Sequence, residues 1–218
     1  MEYILEGPET PPTRTIYKLL IGSIVPRPIA WVSTVNAEGQ PNLAPYSFFN
    51  GINSNPPHLL FCPGVRATDH QPKDSLLNVQ ATGEFVVNVV TEELAEAMNI
   101  TATEFPADVN EFEAAGLTPA KSRSVLPPRI AESPINFECR VTQVVAIGDL
   151  SQPGSGAVVI GRIVCVHVRD DVLLPGDKID IESLRPVGRL AGAGYTRVRD
   201  IFEMKRPPSQ VTPSRKSD

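Results

Sequence analysis

The chain is 218 residues long with 41% hydrophobic residues and a formal net charge of −5, which fits one globular domain with a full core and leaves no room for a second independent one. The acidic balance and the lack of a long basic run exclude nucleic acid and anionic membrane surfaces as expected partners. Met1–Glu6 is acidic with no signal-peptide core, and no apolar run is long enough to span a bilayer, so a cytoplasmic protein is expected.

Residues 1–14 are proline-rich and read as an arm; Thr15–Ile24 fits either a strand or a short helix. Ile29-Ala30-Trp31-Val32 is a short β-prone run closed by the hydroxyl residues Ser33 and Thr34, which predicts a buried strand whose end meets a polar ligand. Asn36–Gln40 supplies a turn, with Gly39 free to take positive φ. The returning segment Asn42–Asn50 contains Pro45, which removes a backbone donor and so predicts a sheet edge or a break in pairing. After the turn Asn53–Pro57, His58–Cys62 is a third apolar strand. Lys73-Asp74-Ser75 opens a helix that Gly83 stops, with Asp74 expected as N-cap.

Glu84–Val90 is apolar on both faces and reads as an interior strand. Thr91 is expected to cap a surface helix carrying Glu92 and Glu93 in its first turn, and a second helical piece is expected to end at Gly116. Ile135–Val145 and Ala157–Val168 are strands joined by the hairpin loop Gly148–Gly156. Many short strands with few helices describe a mainly β protein, a small barrel with peripheral helices, over residues 15–200. The remainder, 201–218, turns to proline, serine and charge and is expected to be disordered.

Cys62, Cys139 and Cys165 form no close pair, and the latter two sit in apolar runs where cysteine acts as a small buried hydrophobe. His58, His70 and His167 are far apart and lack metal-ligand spacing, so no metal site is expected. His167 is read as a structural histidine near Asp170 and Asp171.

The helix start at Lys73–Ser75 carries the anion chemistry. Free N–H groups and the positive end of the helix dipole favour a phosphate, to which Lys73 adds a charge, Ser75 a hydroxyl and Arg66 a planar fork. Unpaired backbone groups beside Pro45 suit a planar heterocycle with alternating donors and acceptors. A phosphate and a flat ring together would be flavin mononucleotide, FMN; for the trio by itself, Asp74 as a plain helix cap beside a solvated Lys73 stands as the other reading.

The ordered succession PRPIAWVST, GQPNLAPYSFFN, NPPHLLF, KDS, TGEFVVNVV and the closing GRLAGAGY resembles the flavin reductase-like family of FMN-binding split barrels, over most of Ile16–Tyr195. The resemblance implies a split β-barrel with peripheral helices, a domain-interlocked homodimer, and an NAD(P)H-dependent flavin reductase that transfers hydride to FMN and could supply a partner monooxygenase; the alternative is a flavin-binding electron carrier or flavin store without turnover of its own. It implies that Ala44, Pro45, Tyr46, Ser47 and Asn50 face the ring, that Ser33 and Thr34 lie toward the ribityl chain, that Arg66, Lys73, Asp74 and Ser75 hold the phosphate, and that Tyr195 comes near the ring. No acid–base residue is expected, because the cofactor carries the chemistry. No G-x-G-x-x-G opens a helix after a strand, so nicotinamide, as NADH or NADPH, would bind transiently.

Overall fold

The structure is a computed structural model and describes residues 1–106 and 108–211; the end of the expected disordered tail, 212–218, lies outside the described residues. Residues 201–211 form no helix or strand. In chain order the elements are α1 (Thr13–Ser23), β1 (Ala30–Val35), β2 (Pro41–Tyr46), β3 (Phe49–Ser54), β4 (Pro57–Phe61), α2 (Asp74–Thr82), β5 (Glu84–Val89), α3 (Ala95–Ile100), α4 (Glu111–Ala114), β6 (Pro119–Ala120), β7 (Arg129–Ile130), β8 (Ile135–Ile147) and β9 (Gly156–Val168). A short 3-10 turn, the small pair β10 (Leu173–Leu174) and β11 (Lys178–Ile179), helix α5 (Ile181–Leu184), and the pair β12 (Val187–Arg189) and β13 (Tyr195–Arg197) complete the fold.

Seven strands make one antiparallel sheet in the order β2-β1-β5-β8-β9-β4-β3. This is the mainly β, split-barrel architecture with peripheral helices that the sequence leads one to expect. β1 and β5 lie inside the sheet and are buried almost throughout, which is why they read as unbroken apolar runs. One side packs Phe61, Phe85, Leu76, Val79 and Val159 into a core; the other packs Trp31, Leu43, Met98, Phe112 and Ile130. Cys139 is fully buried in the first of these, and burial pushes its thiol pKa up.

Three expectations are corrected by contacts remote in sequence. Thr91 does not open a helix; it bridges Pro186, Glu92 is held by Arg197 and Arg199, and the helix starts at Ala95. Asn42–Asn50 is not one strand, because the chain turns at Ser47–Phe48 and Phe49 begins β3 at the opposite end of the sheet. His167 does not face Asp170 and Asp171. Strand alternation puts it on the same face as Cys165, over Glu138 of β8, and its Nε2 lies 2.6 Å from Glu138 Oε1. Cys165 is likewise half-buried beside this histidine rather than in the core.

Arg27 ties three segments together. It is 4% exposed. Its Nη1 donates to the carbonyls of Ile21 and Ile24 at the end of α1, its Nη2 to Leu190 O, and its Nε to Ser47 Oγ at 3.2 Å. No lysine could reproduce this fork.

Candidate functional site

The cleft that gathers the expected residues begins at the edge of the sheet. β2 is an edge strand, as Pro45 requires. The amide of Leu43 turns outward and donates to Glu111 Oε2 at 3.1 Å, so alternation places Pro41 and Pro45 on the same outward-facing rungs. Neither proline therefore costs a bond to β1. The edge offers carbonyl acceptors there, and its one outward amide in this stretch is occupied by Glu111.

Across from this edge, α2 presents its first turn. The sequence expectation that Asp74 is the N-cap is not met: Lys73 holds that position in extended conformation, and Asp74 is the first helical residue. The reason is Arg66, whose Nη1 takes the Asp74 carboxylate at 3.0 Å while its Nε and Nη2 take Asp69. Among the described residues, the amides of Asp74 and Ser75 have no acceptor. Two donors and the positive end of a nine-residue helix thus face the cleft. Ser75 Oγ accepts from Asn42 Nδ2 at 2.9 Å, fastening helix to edge strand.

Ala44, Pro45, Tyr46, Arg66, Lys73, Asp74 and Ser75 line one cleft of about 490 Å³, including its part open to solvent. Tyr46 is buried; among the described residues its hydroxyl makes no hydrogen bond of good geometry, and burial pushes its pKa well above the usual phenol range against the lowering influence of the nearby Ser75 hydroxyl. An orphaned hydroxyl at a cleft wall is costly unless something fills it. Ser47 lies in an adjoining apolar groove of about 1270 Å³ that shares Pro45, Tyr46 and Lys73 with the cleft.

The other expected residues are elsewhere. Ser33 and Thr34 are fully buried: Ser33 donates to Pro128 O, and Thr34 accepts from Asn78 and Asn42. Thr34 touches the cleft only through Asn42. Asn50 is exposed on β3. Tyr195 belongs to a separate groove with Glu92, Asn99 and Ile100, and Arg189 lies over its ring at 4.4 Å.

Two parts of the cleft carry no sequence motif. Residues Thr101–Phe105 form one wall, where Glu104 sits 3.6 Å from Lys73 Nζ and also takes the Thr68 hydroxyl. Glu111 forms another, and burial raises its carboxyl pKa. The two cations are therefore matched against Asp69, Asp74, Glu104 and Glu111. An incoming anion must take Lys73 from Glu104.

Comparison with known proteins gives the family. The model of the "Flavin reductase like domain" matches residues 21–177, more than half of the chain. The chain belongs to the flavin reductase-like family. An uncharacterized protein of Aquifex aeolicus is 45% identical over 191 residues, 88% of this chain and 94% of its own length. Among solved structures, nitrilotriacetate monooxygenase component B from Bacillus cereus is similar with a TM-score of 0.85 at 34% identity, covering 94% of this chain and 100% of that one. The 2-nitrobenzoate 2-nitroreductase of Pseudomonas fluorescens superposes with a TM-score of 0.78 at 32% identity, over 94% of this chain and 96% of that one. As a flavin reductase-like protein the chain is a flavin-binding oxidoreductase by family. Among the described residues, no helix is long and apolar enough to cross a membrane.

Proposed function

We propose that this protein binds FMN in the cleft between β2 and α2 and oxidises NAD(P)H with it, passing the reduced flavin to a partner monooxygenase. The observation that carries the reading is one cleft holding two amides without acceptors, Lys73 and Arg66 at a helix start, and an orphaned Tyr46 hydroxyl against a proline-bearing sheet edge. The residues present fit a phosphorylated planar cofactor. Lys73, the Asp74 and Ser75 amides and the Ser75 hydroxyl would hold the phosphate, with Arg66 keeping Asp74 neutralised. Tyr46 and the edge carbonyl of Pro45 would meet the ring's polar atoms, and the apolar groove beside Phe48 would exclude water from the reacting face. Bound there, the flavin would supply hydride acceptance from a reduced nicotinamide. The 34% identity to a monooxygenase component B over nearly all of both chains supports the partner.

A homodimer is part of this reading. Tyr17, Leu20 and Ile24 of α1 and its end, with Phe48 beside the groove, are exposed large apolar side chains suited to a second copy. A second copy is also the route by which Tyr195 would reach a ring.

The reading is tested by mixing the purified protein with FMN and NADH or NADPH under anaerobic conditions. Bleaching of the flavin that accelerates with added FMN is expected; no flavin binding and no nicotinamide oxidation would overturn it. A second reading, direct reduction of an aromatic acceptor seated in the 1270 Å³ groove, is favoured by that groove's apolar lining and by the likeness to a nitroreductase. Turnover that depends on a nitroaromatic and not on free flavin would select it.

Two substitutions should move FMN affinity in opposite directions. Lys73→Ala is expected to weaken it by about 1.5–3 kcal/mol, the scale of a charge-assisted hydrogen bond. Glu104→Gln frees the same lysine and removes a negative charge, so it should tighten binding by about 1 kcal/mol, roughly fivefold. Fluorescence titration of FMN reads both.

A further inference from the structure

We propose that Glu138, Cys165 and His167 form a binding site for a zinc-class divalent cation, on the β8–β9 ribbon and apart from the flavin cleft. Cys165 and His167 stand two residues apart on β9 and so share a face, and Glu138 is the direct cross-strand partner of Cys165. One donor atom from each lies within 4.8 Å of the others. The set of one thiolate, one imidazole and one carboxylate is the mixed S, N, O donor chemistry that suits zinc(II).

The distances fit a metal better than they fit a catalytic relay. Cys165 Sγ and Glu138 Oε1 both approach the same ring nitrogen, Nε2, at 3.6 and 2.6 Å. A Cys-His-Glu relay needs the thiol and the carboxylate on opposite ring nitrogens. Around a tetrahedral zinc, by contrast, a sulfur and a nitrogen ligand stand about 3.6 Å apart, and a nitrogen and an oxygen about 3.4 Å. The sulfur–nitrogen pair is already at that spacing. The nitrogen–oxygen pair has a shared proton where the ion would sit, and the His167 side chain, 27% exposed, has room to open.

Glu138 is prepared as a ligand. Its carboxylate is fully buried and held by the amides of Arg123, at 2.7 Å, and Ser124, at 2.6 Å. These two donors orient it from outside the site in the way that surrounding hydrogen bonds orient metal ligands. On uptake of the ion the Cys165 thiol gives its proton to solvent, and the ring binds through Nε2 as the neutral imidazole, any proton between Nε2 and Glu138 leaving to solvent or passing to Nδ1. Nδ1, which has no partner among the described residues, keeps the ring's remaining proton. Cys165 and His167 are themselves only half-buried, so this face of the ribbon is open to solvent for entry. Three protein ligands leave a fourth position for water.

The test uses the full chain dialysed against chelator and then titrated with zinc in competition with a chromogenic chelator. Wild type should take up one zinc per chain at this site, and Cys165→Ser and His167→Gln should each weaken uptake by at least about 100-fold. Cobalt(II) in place of zinc should give a thiolate-to-cobalt charge-transfer band that Cys165→Ser abolishes. Both variants alter half-buried side chains, and a thermal melt shows whether they fold. No uptake at micromolar zinc, equal uptake in either variant, or cobalt bands that survive Cys165→Ser would overturn the site.

Discussion

Replacing Arg66 by alanine should weaken FMN binding by about 3–4 kcal/mol, roughly a few hundredfold, more than any other single change in the cleft. The size follows from what the guanidinium does at once. It neutralises Asp74 in the first turn of α2 and Asp69 in the preceding loop, with its side chain only 18% exposed. Without it the helix start keeps its two free amides but gains an unpaired carboxylate beside them, so a phosphate meets repulsion where it met a balanced site. Arg66→Lys should recover only part of the loss, because an ammonium cannot grip Asp69 with two nitrogens and Asp74 with a third. Isothermal titration with FMN measures both variants. An Arg66→Ala protein that binds FMN within about threefold of wild type would remove the phosphate from this end of the cleft.

The second large effect concerns stability. Gly161→Ala should cost about 3 kcal/mol, the upper part of the range for overpacking a close-packed core. Gly161 sits on β9 where an added Cβ would lie 2.4 Å from the Phe85 ring and 3.2 Å from Cys139 Cβ. Neither neighbour can move away: both are fully buried, and Phe85 is itself packed on Phe61 with ring centroids 5.1 Å apart. Urea denaturation should show a lower midpoint with an unchanged slope. A midpoint equal to wild type would mean that the ring has an alternative rotamer to occupy.

Most of the sheet was legible because its signals are local. Gly39 takes positive φ in the first hairpin and Gly83 closes α2 in the left-handed region, as their positions in the sequence suggest. The buried character of Glu84–Val90 also follows directly from its composition. The 15–24 segment, open between strand and helix, is helical: Pro12 stands at the N-cap position, and Ile16 and Leu19 fall on one side at helical spacing.

The cleft was legible only in part. Motif residues on β2 and α2 come together, yet Glu104 and Glu111 have no recognisable pattern and enter the wall through folding of the 101–111 segment. Ser33 and Thr34 close an apolar run as ligand-facing residues do, but the Pro128 carbonyl meets Ser33 on one face of β1 and Asn78 of α2 meets Thr34 on the other, so their hydroxyls are spent inside. The meeting of His167 with Glu138 did leave a trace. Counting back from the Ile147–Gly156 end of the hairpin pairs Glu138 with Cys165, and the two irregularities between them cancel. A regular count along the hairpin would have found the pair.

Four side-chain hydrogen bonds from Arg27 give the fold a common fastening. The end of α1, the Gly188–Gly194 turn and the bend at Ser47 all clip to one rigid plane, so a displacement of any one of them is felt by the other two. Cargo settling beside Ser47 would thereby be sensed some 140 positions further along the backbone, at Leu190, through the Arg27 side chain that both segments touch.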